Sequence, residues 1–393
     1  MGEEHCVFIL DAEELQYRFR DDHPFNQERL KWTRHLLKQL KALPDSCIRP
    51  APAATDEELL LVHRPDYLDA VKQLSLQPDD PKGLAGRYGF DWDDTPCFPG
   101  MHAAASRIVG GTLQAVRLVM EGQAAHALHL GGGLHHAFPG KAAGFCIYND
   151  AAIAIAEAKT VYGARVLYVD TDVHHGDGVQ WAFYTDPDVC TLSIHETGKY
   201  LYPGTGYVHE RGEGDAYGTC LNLPLEPYTE DESWLDCFRQ ALEAAAATFR
   251  PDLIVSQHGC DAHAFDPLSH MHCSMNIYYA MPQLLHEAAH RWCEGRWVAL
   301  GGGGYDIWRV VPRAWSLLWL VMTGHPLIGK LAVNPKLKLP REWVEACLLH
   351  SGIKDPLPTT WLDPVEQWAP ILRRREIEAR NRQTLELALQ VWS

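Results

Sequence analysis

The sequence predicts an α/β fold in which a mostly parallel central sheet is covered by helices on both faces. Three observations carry this reading. Short apolar runs suited to buried strands alternate with segments of helical period along most of the 393 residues. Five of those runs lead into a polar or glycine-rich motif, beginning at Gly131, Asp170, His195, Gln257 and Gly301. In such sheets ligands bind at the carboxyl ends of the strands, so five motifs on one edge point to one catalytic domain.

Residues 6–10 read as the first strand, and residues from about 26 to 40 as a helix with Leu30, Leu36, Leu37 and Leu40 on one face. Residues 101–120 form the next helix, ended by Gly122. Residues 125–130 are a strand that runs into Gly131, Gly132 and Gly133, and 151–161 a helix. Residues 165–169 and 189–194 read as strands, the second expected to end at His195. A helix at 232–248, a strand at 252–256, a helix at 275–292, a strand at 297–300 and a helix at 312–322 follow. After about Lys330 the composition shifts to Pro, Trp and charge. Residues 331–393 are therefore expected to be an arm packed on a catalytic domain of residues 1–330, with an amphipathic helix at about 371–391.

Composition sets the function classes. At 46% hydrophobic and 22% charged residues the chain is ordinary globular material. A formal charge of −16 disfavours nucleic acid and anionic membrane surfaces as partners. The opening from Met1 to His5 is acidic and the apolar run after it short, so no signal peptide is expected, and no stretch is long and apolar enough for a bilayer. Eleven cysteines, an odd number with no Cys-x-x-Cys pair, fit reduced thiols and a cytoplasmic location.

The stretch Asp170-Thr-Asp172-Val-His174-His175-Gly-Asp177 follows the apolar run 165–169. Residues two apart in extended chain share a side, so Asp170, Asp172 and His174 can converge where the strand runs out. Two carboxylates and an imidazole resist burial together unless a divalent metal joins them, and these are good zinc donors. The competing reading is a solvated acidic strand end. Gly131-Gly-Gly-Leu-His135-His136 offers two general bases on a pliant loop, against a bland pair of surface histidines. Asp170 and Asp177 are natural partners for these rings, which leaves Asp172 and His174 for the metal. A third ligand is then needed. Asp261 is available after the next strand, with His258, His263, Asp266, His270 and His272 as competitors. The Gly301–Gly304 run matches neither a dinucleotide nor a P-loop pattern, and serves instead to present Tyr305, a candidate oxyanion donor. Phe145 and Tyr202 sit on loops that could wall an apolar slot.

Together these residues resemble the zinc-dependent histone deacetylase family of the arginase/deacetylase fold, over about residues 23–305. The segments that carry the resemblance are Gly-Gly-Leu-His135-His136, Gly144-Phe-Cys146-x-x-Asn149-Asp150, Asp170-x-Asp172-x-His174-His175-Gly-Asp177-Gly178, Tyr202-Pro-Gly-Thr-Gly206, Gly259-x-Asp261 and Gly-Gly-Gly-Gly304-Tyr305, in that order. His23-Pro-Phe-Asn26, Pro99-Gly-Met101 and Asp266-Pro-Leu-x-x-Met271 are most similar to the bacterial acetoin-utilisation deacetylases. The resemblance implies a single domain with about eight strands. It implies zinc on Asp172, His174 and Asp261, with ferrous iron suited to the same donors. His136 paired with Asp177 would be the general base, and His135 paired with Asp170 its electrostatic or proton-returning neighbour. Tyr305 would polarise the scissile carbonyl. Phe145, Tyr202 and Gly144 would flank an acetyl-lysine tunnel, Asp94 would hold the substrate backbone at its rim, and Arg29 would line an acetate exit. A structural potassium would sit on Asp170, Asp172, His174, Ser193 and Ile194. A second potassium near Phe183 and Val189 is disfavoured by Asp186 and Thr219.

The activity this implies is hydrolysis of acetyl-lysine on a protein, with acetylated acetyl-CoA synthetase as the suggested substrate. Acetylpolyamine hydrolysis is the alternative within the family. A binuclear manganese ureohydrolase shares the fold but needs neither the histidine pair nor Tyr305. An acetyl-lysine binding protein without catalysis would not need the full catalytic set.

Overall fold

Among the residues described by the structure, a computed structural model covering 5–80, 82–91, 93–364, 368 and 370–392, eight strands form one parallel sheet. Residues 1–4 of the acidic opening lie outside the described residues. The strands are β1 (Cys6–Ile9), β2 (Ile48–Arg49), β3 (His126–His129), β4 (Val166–Asp170), β5 (Val189–Glu196), β6 (Cys220–Leu225), β7 (Leu253–Gln257) and β8 (Trp297–Leu300). The helices are α1 (Glu28–Gln39), α2 (Asp56–Leu59), α3 (Pro65–Leu76), α4 (Met101–Met120), α5 (Asp150–Tyr162) and α6 (Asp177–Ala182). They continue with α7 (Asp231–Phe249), α8 (Met275–Trp292), α9 (Val311–Met322), α10 (Leu327–Val333), α11 (Arg341–Ser351) and α12 (Arg374–Leu389).

The strand order is β2-β1-β3-β8-β7-β4-β5-β6. Alternate strand residues enter two separate cores, as a period of two demands. Phe8, Leu128, Leu167, Leu192, Ile254 and Ala299 pack on one face with Leu36 of α1, Phe238 of α7, Met281 of α8 and Trp315 of α9. Val7, Ala127, Val166, Tyr168, Val255 and Val298 pack on the other with Val71 of α3, Val109 of α4 and Ile153 of α5. Each fully buried Leu or Ile contributes roughly 1.5–3 kcal/mol, so both cores reward the same alternation and hold the strand register. The four central strands β3, β8, β7 and β4 therefore present their carboxyl ends side by side on one edge.

Two edge strands escaped the sequence reading. β2 is only two residues long, and β6 carries Pro224. Proline lacks an amide donor and is tolerated at a sheet edge, where β6 lies. β5 runs past its expected end, because His195 pairs with Pro224 and Glu196 with Leu225. The C-terminal segments lie against this body. Trp343 of α11 donates to the Trp32 carbonyl of α1 at 3.3 Å. Asn381 of α12 is buried and accepts from the Glu226 amide at 2.9 Å while donating to Thr229 and Ser233. All eleven cysteines are free. Among the described residues no single helix is long and apolar enough to cross a membrane.

Candidate active site

Asp170 closes β4, and the chain then bends. Its Oδ1 accepts the Asp172 amide at 3.1 Å, and its Oδ2 meets Tyr168 Oη at 2.9 Å and His135 Nδ1 at 2.8 Å. Asp170 is thus spent on loop and histidine, and the cluster divides there. His174 Nδ1 stands 3.1 Å from Asp172 Oδ1 and 3.1 Å from Asp261 Oδ2. Asp172, His174 and Asp261 are all buried, and their ligand atoms lie within 4.8 Å of one another.

The surroundings hold these donors in place. Gln257 Nε2 and the Gly303 amide each donate to Asp172 Oδ2 at 2.7 Å, and the Val173 amide donates to Asp261 Oδ1 at 2.9 Å. Position 303 has to be glycine: a Cβ there would be driven into the Asp261 carboxylate and within 2.8 Å of Asp172 Oδ2. Burial alone would lower the His174 pKa, but its bonds to Asp172 and Asp261 override that and push it up to about 10. Asp261 is pushed up to about 6, first by burial and then by the Asp172 charge. Two buried carboxylates and an imidazole that retain a proton so firmly form a donor set that a dication suits, with the metal in the proton's place. The residues fit a divalent metal.

The rival ligands are engaged elsewhere. His258 meets Ser256 Oγ at 2.7 Å, His263 meets Asp363 at 2.9 Å, and His270 meets Glu196 at 2.7 Å. Asp266 accepts the Tyr305 amide at 2.8 Å, and the His272 ring packs edge-on against Trp368. His175 turns away to Thr205 and Gln180, at 2.8 and 3.1 Å. The motif expected at the end of β5 does not join the site, because His195 is held inside the strand by Ser193 Oγ and the Gly206 carbonyl.

His136 Nδ1 meets Asp177 Oδ1 at 2.7 Å, and the two histidines face each other with Nε2 atoms 3.0 Å apart. With each Nδ1 donating to a carboxylate, the facing Nε2 atoms must share one proton. Burial opposes a charge on His135, but Asp170 and Asp172 outweigh it and push the pKa up to about 9. Burial and the neighbouring His135 charge lower that of His136, against the pull of Asp177. The two rings are thus pulled in opposite directions, His135 towards its charged form and His136 towards its neutral form.

Tyr305 is half-buried, and its ring meets that of Phe145 edge-on at 5.9 Å. Burial, then the Asp261 and Asp172 charges, raise its pKa well above the ordinary value, so the hydroxyl keeps its proton as a donor. Phe145 has a left-handed φ of 68°, a strained conformation for a bulky residue. It is held there by Thr95 Oγ1 on its amide at 3.0 Å and by Tyr17 Oη on its carbonyl at 2.7 Å. Tyr202 is 45% exposed and packs edge-on against His136. Gly144 lies where a Cβ would enter the His136 ring, and its amide donates to Asp94 Oδ2 at 2.8 Å. Phe25, Leu134, Phe145 and Tyr305 help line a narrow cavity that reaches the histidine pair and Asp172.

Arg29 is fully buried, donates to the Gly304 carbonyl at 3.1 Å and lies over the Phe25 and Trp315 rings. Sheet pairing sets Asp170 opposite Ser193, with Ile194 next along β5. Near Phe183 and Val189, where a second potassium is disfavoured by sequence, the Asp186 amide bonds the Phe183 carbonyl and the Val189 amide bonds the Asp186 carbonyl, while Thr219 accepts the Thr191 amide. The Asp186 carboxylate there is paired with the Lys159 ammonium.

Several supporting residues had no assigned role in the sequence reading. Asn149 caps α5 through the Ala152 amide and donates to the His135 and Ala137 carbonyls. Asp150 accepts the Gly133 and Leu134 amides at 3.0 and 2.7 Å, and so shapes the loop that carries both histidines. A cap signal marks Asn149 in the sequence. Nothing local marks Tyr17 or Thr95, which reach the site from 128 and 50 residues away.

One edge of a parallel α/β sheet thus carries buried acidic and imidazole donors, a carboxylate-backed histidine pair and a tyrosine. The histone deacetylase domain matches residues 23–322, and the chain belongs to the histone deacetylase family. More narrowly it is of the AcuC type. It is 51% identical over 383 residues to the acetoin utilization protein AcuC of Bacillus subtilis (strain 168), covering 98% of this chain and 96% of that protein. To AcuC of Staphylococcus xylosus it is 45% identical over 377 residues, covering 95% and 94%. Similar solved structures include the crystal structure of an HDAC homolog complexed with SAHA, at TM-score 0.85 and 29% identity, covering 98% of this chain and 100% of that one. Another is the HDAC homolog from Aquifex aeolicus, at TM-score 0.84 and 28% identity with the same coverage. The chain is a deacetylase of a metal-dependent family that acts on acetylated substrates.

Proposed function

We propose that this chain is a zinc-dependent protein lysine deacetylase that releases acetate from acetyl-lysine, with acetylated metabolic enzymes such as acetyl-CoA synthetase as substrates. The observation that carries the reading is the convergence of a three-donor group, a proton-sharing histidine pair and a protonated tyrosine on one narrow cavity. Asp172, His174 and Asp261 would hold the metal. A divalent cation bound there supplies Lewis acidity, polarising an amide carbonyl and making a water molecule more acidic.

The chain's own residues do the rest. His136, neutral and oriented by Asp177, takes a proton from the attacking water at Nε2, the water displacing the His135 N–H that this lone pair otherwise accepts, a role typically worth about 10²–10⁴-fold. Tyr305 donates its hydroxyl hydrogen to the carbonyl oxygen as negative charge gathers there. His135, kept cationic by Asp170, offsets that charge and returns a proton to the departing amine through the pair. A neutral acetyl-lysine suits the cavity lined by Phe145 and Gly144, where a charged lysine would lose its hydration, and Tyr202, packed on His136, would flank its approach. Asp94 would meet the substrate backbone at the rim, Arg29 would line the acetate exit, and potassium would occupy Asp170, Asp172, His174, Ser193 and Ile194. Residues 1–330 form the catalytic unit in this reading, 331–393 an arm upon it, and the enzyme acts in the cytoplasm, where its free thiols stay reduced.

Replacing Tyr305 by Phe tests the assignment. Loss of one oxyanion donor costs about 2.7–4 kcal/mol, so kcat should fall about 10²–10³-fold with bound metal unchanged. Near-normal kcat in Tyr305→Phe would overturn the role given to this residue.

A further inference from the structure

A second group of imidazoles lies at the opposite edge of the sheet. His126 opens β3 at its amino end, whereas the catalytic loop follows the carboxyl end of the same strand. His286 and His290 stand one turn apart near the end of α8, within His286-Glu287-Ala288-Ala289-His290. This His-Glu-x-x-His spacing puts both rings on one helix face, as in helices that hold zinc. One nitrogen from each of the three histidines lies within 4.8 Å of the others. The His286 and His290 Nε2 atoms are 3.2 Å apart. Two imidazole nitrogens on a tetrahedral zinc, each at about 2.0–2.1 Å, would stand about 3.3–3.4 Å apart, so this pair needs little movement and His126 has to close to the same distance.

The surroundings favour a held cation over a loose surface cluster. His126 is fully buried, and its ring packs edge-on against Trp297, His286 and His290 at 5.6, 4.9 and 5.2 Å. Gly295 admits the His290 ring, since a Cβ there would come within 3.0 Å of it. His290 is exposed and gives an ion its way in. Among the described residues the grouped donors are three imidazole nitrogens, a set that suits zinc, nickel or copper better than magnesium or calcium.

We propose that His126, His286 and His290 form a second metal site, for zinc or a similar borderline divalent cation, separate from the catalytic group. Its role is structural: it fastens the last turns of α8 to the start of β3. The full chain, stripped by a chelator and titrated with zinc in a calorimeter, should bind two equivalents. His286→Gln/His290→Gln should bind one, keep its deacetylase activity and lose the part of the zinc-induced rise in unfolding temperature that this site supplies. Should the double variant misfold, the single His290→Gln alters only an exposed side chain, and should weaken the second equivalent at least about tenfold. Equal zinc stoichiometry and affinity in wild type and variants, or a single equivalent in wild type, would overturn the proposal.

Discussion

Tyr17→Phe removes one oxygen from a fully buried side chain. That oxygen donates to the Phe145 carbonyl at 2.7 Å and accepts the Ile147 amide at 3.0 Å. Phenylalanine keeps the ring contacts with Phe19, Phe25 and Phe98, so the apolar packing is nearly conserved. Each buried polar group left without a partner costs about 1–3 kcal/mol. Ile147 is completely buried and Phe145 only half-buried, so a total of about 2–4 kcal/mol is expected, the larger share from the Ile147 amide. The same bond helps hold Phe145 at its left-handed φ of 68°, and Thr95 alone would then have to do so. Urea unfolding should therefore show a lower midpoint with an unchanged slope. Steady-state kinetics on an acetyl-lysine peptide should show KM rising more than kcat falls, with metal content unchanged. A stability loss below about 0.5 kcal/mol together with wild-type KM would refute the reasoning.

Three further outcomes follow from other parts of the structure. Gly303→Ala should weaken metal binding by about ten- to a hundredfold, measured by competition with a chromogenic chelator, because the new Cβ collides with the Asp261 carboxylate. His63 accepts the Asn149 amide on Nε2, and burial lowers its pKa to about 4, so only its neutral form fits the fold. The unfolded chain binds the proton more readily, so this contribution is present above pH 6.5 and is lost as pH falls from 6.5 towards 4. That amounts to about 3 kcal/mol, and urea midpoints should fall more steeply over this range in wild type than in His63→Gln. Asp177→Asn should leave zinc bound and lower kcat by about 10²–10⁴-fold, since it disturbs the orientation and proton placement of His136.

Elements with strong periodic patterns were readable from the sequence because both cores impose the same alternation. Residues 101–120, 275–292 and 297–300 are bounded in the structure as expected. β6 was missed because its proline argues locally against a strand, and only its place at the sheet edge removes the objection. The donors Asp172 and His174 stood out because their neighbours in the chain carry related chemistry. Separating Asp261 from His258, His263 and His270 needed tertiary structure, since each rival finds its partner through the fold. The buttresses Tyr17, Thr95 and His63 look like ordinary core or loop residues in sequence, and their positions matter only once distant backbone reaches them. The His286 to His290 pair carries no site signal on its own in the sequence, because its third neighbour, His126, lies 160 residues earlier on a different element.

The most direct measurement is acetate release from an acetyl-lysine peptide by chelator-stripped chain, before and after zinc is restored. The account predicts no turnover in the stripped chain, one acetate per free lysine after reconstitution, and no recovery in Asp261→Asn. Turnover that survives complete metal removal, or a reconstituted chain that binds the peptide and releases no acetate, would contradict it.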